Sequence, residues 1–113
     1  MIILDKQISR SELSAIAGNF YGDMVKAVSD VRNGVLAVDA ELHSDLERFL
    51  LERGSSQEDL WGFNIYPEME GEDFIEFDSL INIRPRQNNR SRYVESDEIR
   101  AKIAGIVKKY IFD

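Results

Sequence analysis

The spacing of apolar residues along this chain changes several times, and each change marks a predicted element boundary. Ile2, Ile3 and Leu4 form a short continuous run that suits a strand. Ser9 and Glu12 follow with capping-box spacing, and Ile8 and Leu13 are placed as a hydrophobic staple. Leu13, Ile16, Ala17 and Phe20 recur at helical spacing, so a first helix is predicted to end between Gly18 and Gly22. From Met24 the period becomes two: Val25, Ala27 and Val31 share one face, and Lys26, Val28 and Asp30 the other. Asn33-Gly34 reads as a type I′ hairpin turn, whose central positions both need positive φ. The return strand puts Leu36, Val38, Ala40 and Leu42 on one face, with Ala37, Asp39, Glu41 and His43 opposite.

Leu42, Leu46, Phe49 and Leu50 also fit a helical stripe. The change to helix is placed near Ser44, which has capping-box spacing to Glu47, and the helix is expected to run through Leu51 and close at Gly54. Leu60 to Tyr66 predicts a strand with Trp61, Phe63 and Ile65 on one face and Gly62, Asn64 and Tyr66 on the other. The most strand-like alternation lies between Asp73 and Arg92. There Ile75, Phe77, Ile81 and Ile83 oppose Glu76, Asp78, Asn82 and Arg84, and Pro85 ends the run, so this segment is expected to be the core strand. A final helix should start at Ser96, with Asp97 and Glu98 at its positive end and Lys108-Lys109 at its negative end. Its buried stripe would be Ile99, Ile103, Ile106, Val107 and Tyr110.

The predicted order is β-α-β-β-α-β-β-α. It implies an α+β fold, a two-layer sandwich in which three helices pack on one face of an antiparallel or mixed sheet of about five strands. A chain of 113 residues should form one domain over residues 1–113, burying about 65% of its unfolded surface. Cysteine is absent, which excludes disulfides, thiolate zinc sites and thiol nucleophiles and is compatible with a reducing cytoplasm. No apolar run approaches membrane-spanning length, and the opening run is too short for a signal peptide, so a cytoplasmic protein without membrane contact is expected. The net charge of −7 argues against nucleic acid as a partner of the whole molecule. The acids are concentrated before residue 80, whereas Arg84, Arg86, Arg90 and Arg92 form a basic tract after it.

If the sheet buries its apolar faces on one side, the other side gathers Asp30, Asp39, Glu41, His43, Asn64, Glu76, Asp78, Asn82 and Arg84. Glu41, His43, Glu76 and Asp78 are the candidates for acid-base chemistry, because a carboxylate pair or a carboxylate and imidazole in different environments can act as acid and base. Asp39, Glu41 and His43 could together hold a divalent metal, although no cofactor motif is evident. Asn82, Arg84, Arg90 and Arg92 are the candidate binding residues, since guanidinium forks and amides suit phosphate or carboxylate groups. Each reading has a plainer competitor. A one-sided sheet ordinarily has a solvated polar face, and the arginines can simply neutralise the acids at Glu68 to Asp78.

The chain also resembles a small prokaryotic protein family of about this length with no established function. The resemblance rests on GDMVKAV at Gly22 to Val28, ELH at Glu41 to His43, LWGFNIYP at Leu60 to Pro67, and EDFIEFDSLINIRP through NRSR at Glu72 to Arg92. It implies no activity, cofactor or partner. With no catalytic motif present, the expected function is binding, to another protein or by self-association. A small enzyme or ligand-binding protein is the alternative, and contact with nucleic acid through the arginine tract is a weaker one.

Overall fold

A computed structural model describes all residues 1–113. Its main sheet has five antiparallel strands in the spatial order β1 (Ile2–Ile3), β4 (Val35–Val38), β3 (Val25–Asp30), β5 (Leu60–Ile65) and β6 (Ile75–Glu76). Three helices accompany it: α1 (Arg10–Ala17), α2 (His43–Leu51) and α3 (Asp97–Tyr110). A second, two-residue parallel pairing joins β2 (Ile8–Ser9) to β7 (Ile111–Phe112). The α+β class, the helix count and the antiparallel sheet are therefore as the sequence pattern predicts. The pattern did not reveal the short β2–β7 pair.

The helices, however, do not share one face. Leu13 and Ala17 of α1 and Ile103 and Val107 of α3 pack with Val25, Ala27, Leu36, Val38, Trp61 and Phe63 in the larger core. Leu46 and Leu50 of α2 pack on the opposite face, against Val28, Ala37 and Leu60. The architecture is three-layered because β3, β4 and β5 carry apolar residues on both faces. Val28 and Ala37 are paired across strands and both fully buried, so a second apolar layer must cover them.

Local signals explain most boundaries. The Ser9–Glu12 capping box forms in full, and Ser96 caps α3 by accepting from the Ile99 N–H. The second expected capping box does not form: α2 starts at His43 after an uncapped Leu42, and Glu47 pairs with Arg84 instead. β4 ends early because Asp39 takes a left-handed backbone with φ 72°, which turns Ala40 into the smaller core and leaves Leu42 exposed. The hairpin is also not a two-residue turn. Asp30 pairs with Val35 across a four-residue connection in which only Gly34 has positive φ. The Asp30 carboxylate accepts from the backbone N–H of Arg32 and Asn33, from Asn33 Nδ2, and from Ser55 Oγ at 2.6 Å. Burial alone would raise the pKa of this acid, but those hydrogen bonds outweigh it and hold the carboxyl below its ordinary value.

The largest departure is the segment expected to be the core strand. Only Ile75–Glu76 pair with β5; beyond them the chain folds into short 3₁₀ turns at Leu80–Asn82 and Pro85–Gln87. Ile75 and Phe77 pack against the larger core, Ile81 against the smaller one, and Ile83 is 44% exposed, so the apolar alternation there does not mark one buried face. Polar side chains take over the backbone hydrogen bonds. Asn82 replaces a strand residue at the outer edge of β5: its Oδ1 accepts from the Gly62 N–H and its Nδ2 donates to the Gly62 carbonyl, each at 2.9 Å. The turn lies so close to the strand that a Cβ on Gly62 would come within 2.7 Å of Ser79 Cβ and Oγ.

Two substitutions test this seam. Asn82→Ala strands the buried donor and acceptor of Gly62 and should lower unfolding free energy by about 3 kcal/mol. Gly62→Ala forces Ser79 outward and should cost about 2 kcal/mol. Urea denaturation of both variants measures the effects; wild-type midpoints would mean that the seam is dispensable.

Candidate functional site

The face of the sheet that α2 covers is only partly filled. Beyond the N-terminus of α2 the sheet presents Lys26 of β3 and Asn64 of β5, which are cross-strand partners, and Glu76 of β6 beside Asn64. Here α2, the strand ends and the Ser79–Ile81 turn enclose a pocket of about 460 Å³. Polar side chains of His43, Asn64, Glu76, Asp78, Lys26 and Arg92 line it. Tyr21, Met24, Leu42, Leu80 and Ile81 supply apolar surface, and Leu42 and Leu80 are among the most exposed large apolar side chains of the protein.

His43 is placed by being the first residue of α2, directly above the sheet. It is 8% exposed, and its Nε2 lies 2.8 Å from the Phe63 carbonyl oxygen. A carbonyl can only accept, so Nε2 carries the proton of the neutral ring and Nδ1 is bare. Burial lowers the pKa of this histidine and Lys26 adds to the effect; the Phe63 carbonyl, the Asn64 amide and Asp78 act upward without overcoming it. The imidazole is therefore neutral at pH 7.

The acids around it are already engaged. Glu76 Oε1 accepts from Asn64 Nδ2 at 2.8 Å and from the Tyr66 hydroxyl at 3.0 Å. Burial and the bond to Glu76 in turn raise the pKa of Tyr66. Asp78 makes a two-point ion pair with Arg92, at 2.8 and 3.1 Å. Lys26 enters no ion pair and lies 5.0 Å from the centre of the Tyr21 ring. Asn64 is 5% exposed, and its Oδ1 is buried without a hydrogen-bond partner.

The structure thus brings His43, Glu76, Asp78 and Arg92 to one pocket and disperses the other predicted residues. Glu41 is exposed outside it, contributing only its backbone carbonyl to the Tyr21 hydroxyl. Asp39 accepts from Asn19 Nδ2 at 2.9 Å near the end of α1. Asp39, Glu41 and His43 therefore do not form a ligand set, and nowhere do three His, Cys, Asp or Glu side chains converge as metal ligands. Asn82 is fully buried in the seam with β5. Arg84 is half-buried: it donates to the carbonyls of Ile81, Gln57 and Leu60, meets Glu47 at 3.4 Å and stacks over Trp61. Burial pulls its pKa down, with Glu47 opposing, yet an arginine so shifted keeps its charge. Arg90 projects outward, and its backbone N–H donates to Glu95.

Lys26, Tyr21, Leu42 and the Ser79–Ile81 turn were not among the predicted site residues. Lys26 was legible as lying on the same face of β3 as Val28 and Asp30. Its pairing with Asn64 depends on strand register, which alternation alone does not specify.

The fold and this pocket define a small α+β domain with a candidate binding pocket. Residues 2–110 match the family described as a protein of unknown function (DUF5674), and the chain belongs to that family. No curated protein and no solved structure matches it. No helix is long and apolar enough to cross a membrane.

The neutral, buried state of His43 has a measurable cost in acid. The folded ring resists protonation while the unfolded chain accepts a proton near the ordinary value of 6.5, so the unfolded state binds more protons below that pH. Stability should fall as pH drops through 6.5 and level off below the folded pKa of His43. In His43→Gln this component should vanish, as read from urea midpoints between neutral and acid pH. An unchanged pH slope in the variant would show that His43 titrates normally.

Proposed function

We propose that this protein is a binding domain and that the pocket between α2, β5, β6 and the Ser79–Ile81 turn receives its ligand. The observation that carries the reading is the make-up of that pocket. Its polar floor ends in a buried acceptor without a partner, Asn64 Oδ1, and its rim exposes Leu42 and Leu80. Its volume of about 460 Å³ falls within the span typical of small-molecule sites. An amphiphilic ligand fits, with its polar head over Lys26, His43 and Asn64 and its apolar part along Leu42, Ile81 and Leu80.

Binding is favoured over catalysis by what His43 touches. Its hydrogen bond goes to a backbone carbonyl, so no hydroxyl is held against it as a nucleophile is held against its base. Ser79 of the turn is nearly fully buried, and its Oγ accepts from the Ile81 N–H.

The test is an amide-resolved NMR titration with hexanoate, hexylamine and hexanol. At least one should shift resonances of Lys26, Leu42, Asn64 and Leu80 together and be recovered chemically unchanged. Leu80→Ser should weaken its affinity about tenfold through lost apolar contact. Shifts that avoid these residues, or chemical conversion of the probe, would refute the reading.

A further inference from the structure

The charge of the ligand can be inferred from the pocket, on the assumption that the pocket is the binding site. Asn64 Nδ2 donates to Glu76 Oε1 and to the Asp78 carbonyl at 3.3 Å, which directs Oδ1 away from both acids. That oxygen is buried and lacks a donor, an arrangement that costs stability wherever it persists. Asn64 sits next to His43 on the floor of the pocket and favours the protonated ring. In the neutral ring the only N–H is at Nε2, and it is committed to Phe63. The floor is therefore one hydrogen short, and the missing hydrogen can arrive as a second N–H on His43.

The neighbouring charges decide what would bring it. From β3, Lys26 faces the ring; from β6 and the following turn, Glu76 and Asp78 do; Arg92 cancels Asp78, and Tyr21 lies at the rim. On α2 itself, Asp45 is half-buried and outside the pocket, and Glu47 is directed to Arg84. With a neutral His43 the positive and negative groups of the pocket balance. A protonated His43 leaves one positive charge uncompensated, beside Lys26, which has no ion-pair partner.

We propose that the pocket binds a small carboxylate monoanion with a short apolar tail, and that a proton passes from solvent to Nδ1 of His43 on binding. The anion seats on Lys26 and offsets the new charge, while the second N–H of His43 satisfies Asn64 Oδ1. Affinity for the anion should then rise as pH falls from 8 towards 6, the direction in which protons become available.

Isothermal titration calorimetry of the protein at pH 7, in two buffers of different ionisation enthalpy, tests this with hexanoate as the probe and hexylamine and hexanol as controls. The expected result is binding of hexanoate with uptake of about one proton. In His43→Gln the uptake should disappear, and in Lys26→Gln anion affinity should fall about tenfold. Should His43→Gln fail to fold, the wild-type imidazole titration followed by NMR gives the same answer, since its midpoint must rise when hexanoate is bound. Anion binding without proton uptake, or binding of hexylamine alone, would overturn the inference while leaving the pocket as a binding site. Binding of none of the three would overturn both.

Discussion

The pairing of a strand edge with a side-chain amide is the constraint on which the rest of this structure depends. Gly62 presents its N–H and C=O at the outer edge of β5, and Asn82 meets both with one carboxamide. The absence of a side chain at position 62 lets Ser79 and Ile81 lie against the strand. Asn82 also donates to the Arg92 carbonyl, and Asn89 donates to the carbonyls of Asn82, Ser91 and Tyr93. Two buried asparagines thus hold the segment from Ser79 to Tyr93 as a fixed wall. Such networks are rigid when every member is satisfied, because an unmade bond in a dry interior is expensive. That wall carries Leu80 and the Arg92–Asp78 pair to the edge of the pocket.

The same economy explains the arginine tract. In sequence it reads as a donor-rich loop facing an acidic neighbour. In the fold, Arg84 is drawn inward among carbonyls and against Glu47, and Arg92 neutralises Asp78. Charge balance therefore describes Arg92. Arg84 acts differently, as a clamp joining α2, β5 and the turn, where its planar fork supplies several donors at once. Ion pairs of this kind hold position more than they add stability, since desolvation offsets much of the attraction.

Much of the fold was legible because its signals are local. Ser9 with Glu12, Ser96 with Asp97 and Glu98, and the alternation of Trp61, Phe63 and Ile65 each describe one element without reference to others. What misled was alternation without pairing. Ile75 to Ile83 has the period of a strand, but a period reports which residues could share a face and not whether a neighbouring strand is there to bond them. The side chains of Ser79 and Asn82 compete for those backbone groups, and they prevail past Glu76. The two-sided sheet was visible in Val28 and Ala37, apolar residues on the face otherwise read as polar. The site was half legible: His43, Glu76 and Asp78 follow from the pattern, whereas Lys26 and Leu80 depend on register and on a turn.

The small β2–β7 pairing bears on the order of assembly. Ile8 sits beside Ile111, and Gln7 donates to the Lys109 carbonyl across 102 positions of sequence. Contacts of such separation demand closure of nearly the whole chain before they return any energy, and they slow folding accordingly. The hairpin of β3 and β4 and its pairing with β5 can form while later residues are still being synthesised. The larger core cannot, because α3 and Ile111 supply one wall of it. A nascent chain would therefore hold a half-covered sheet, with Trp61 and Phe63 uncovered on one face, until its last helix leaves the ribosome. That interval, more than the finished fold, is when this protein is most exposed to aggregation.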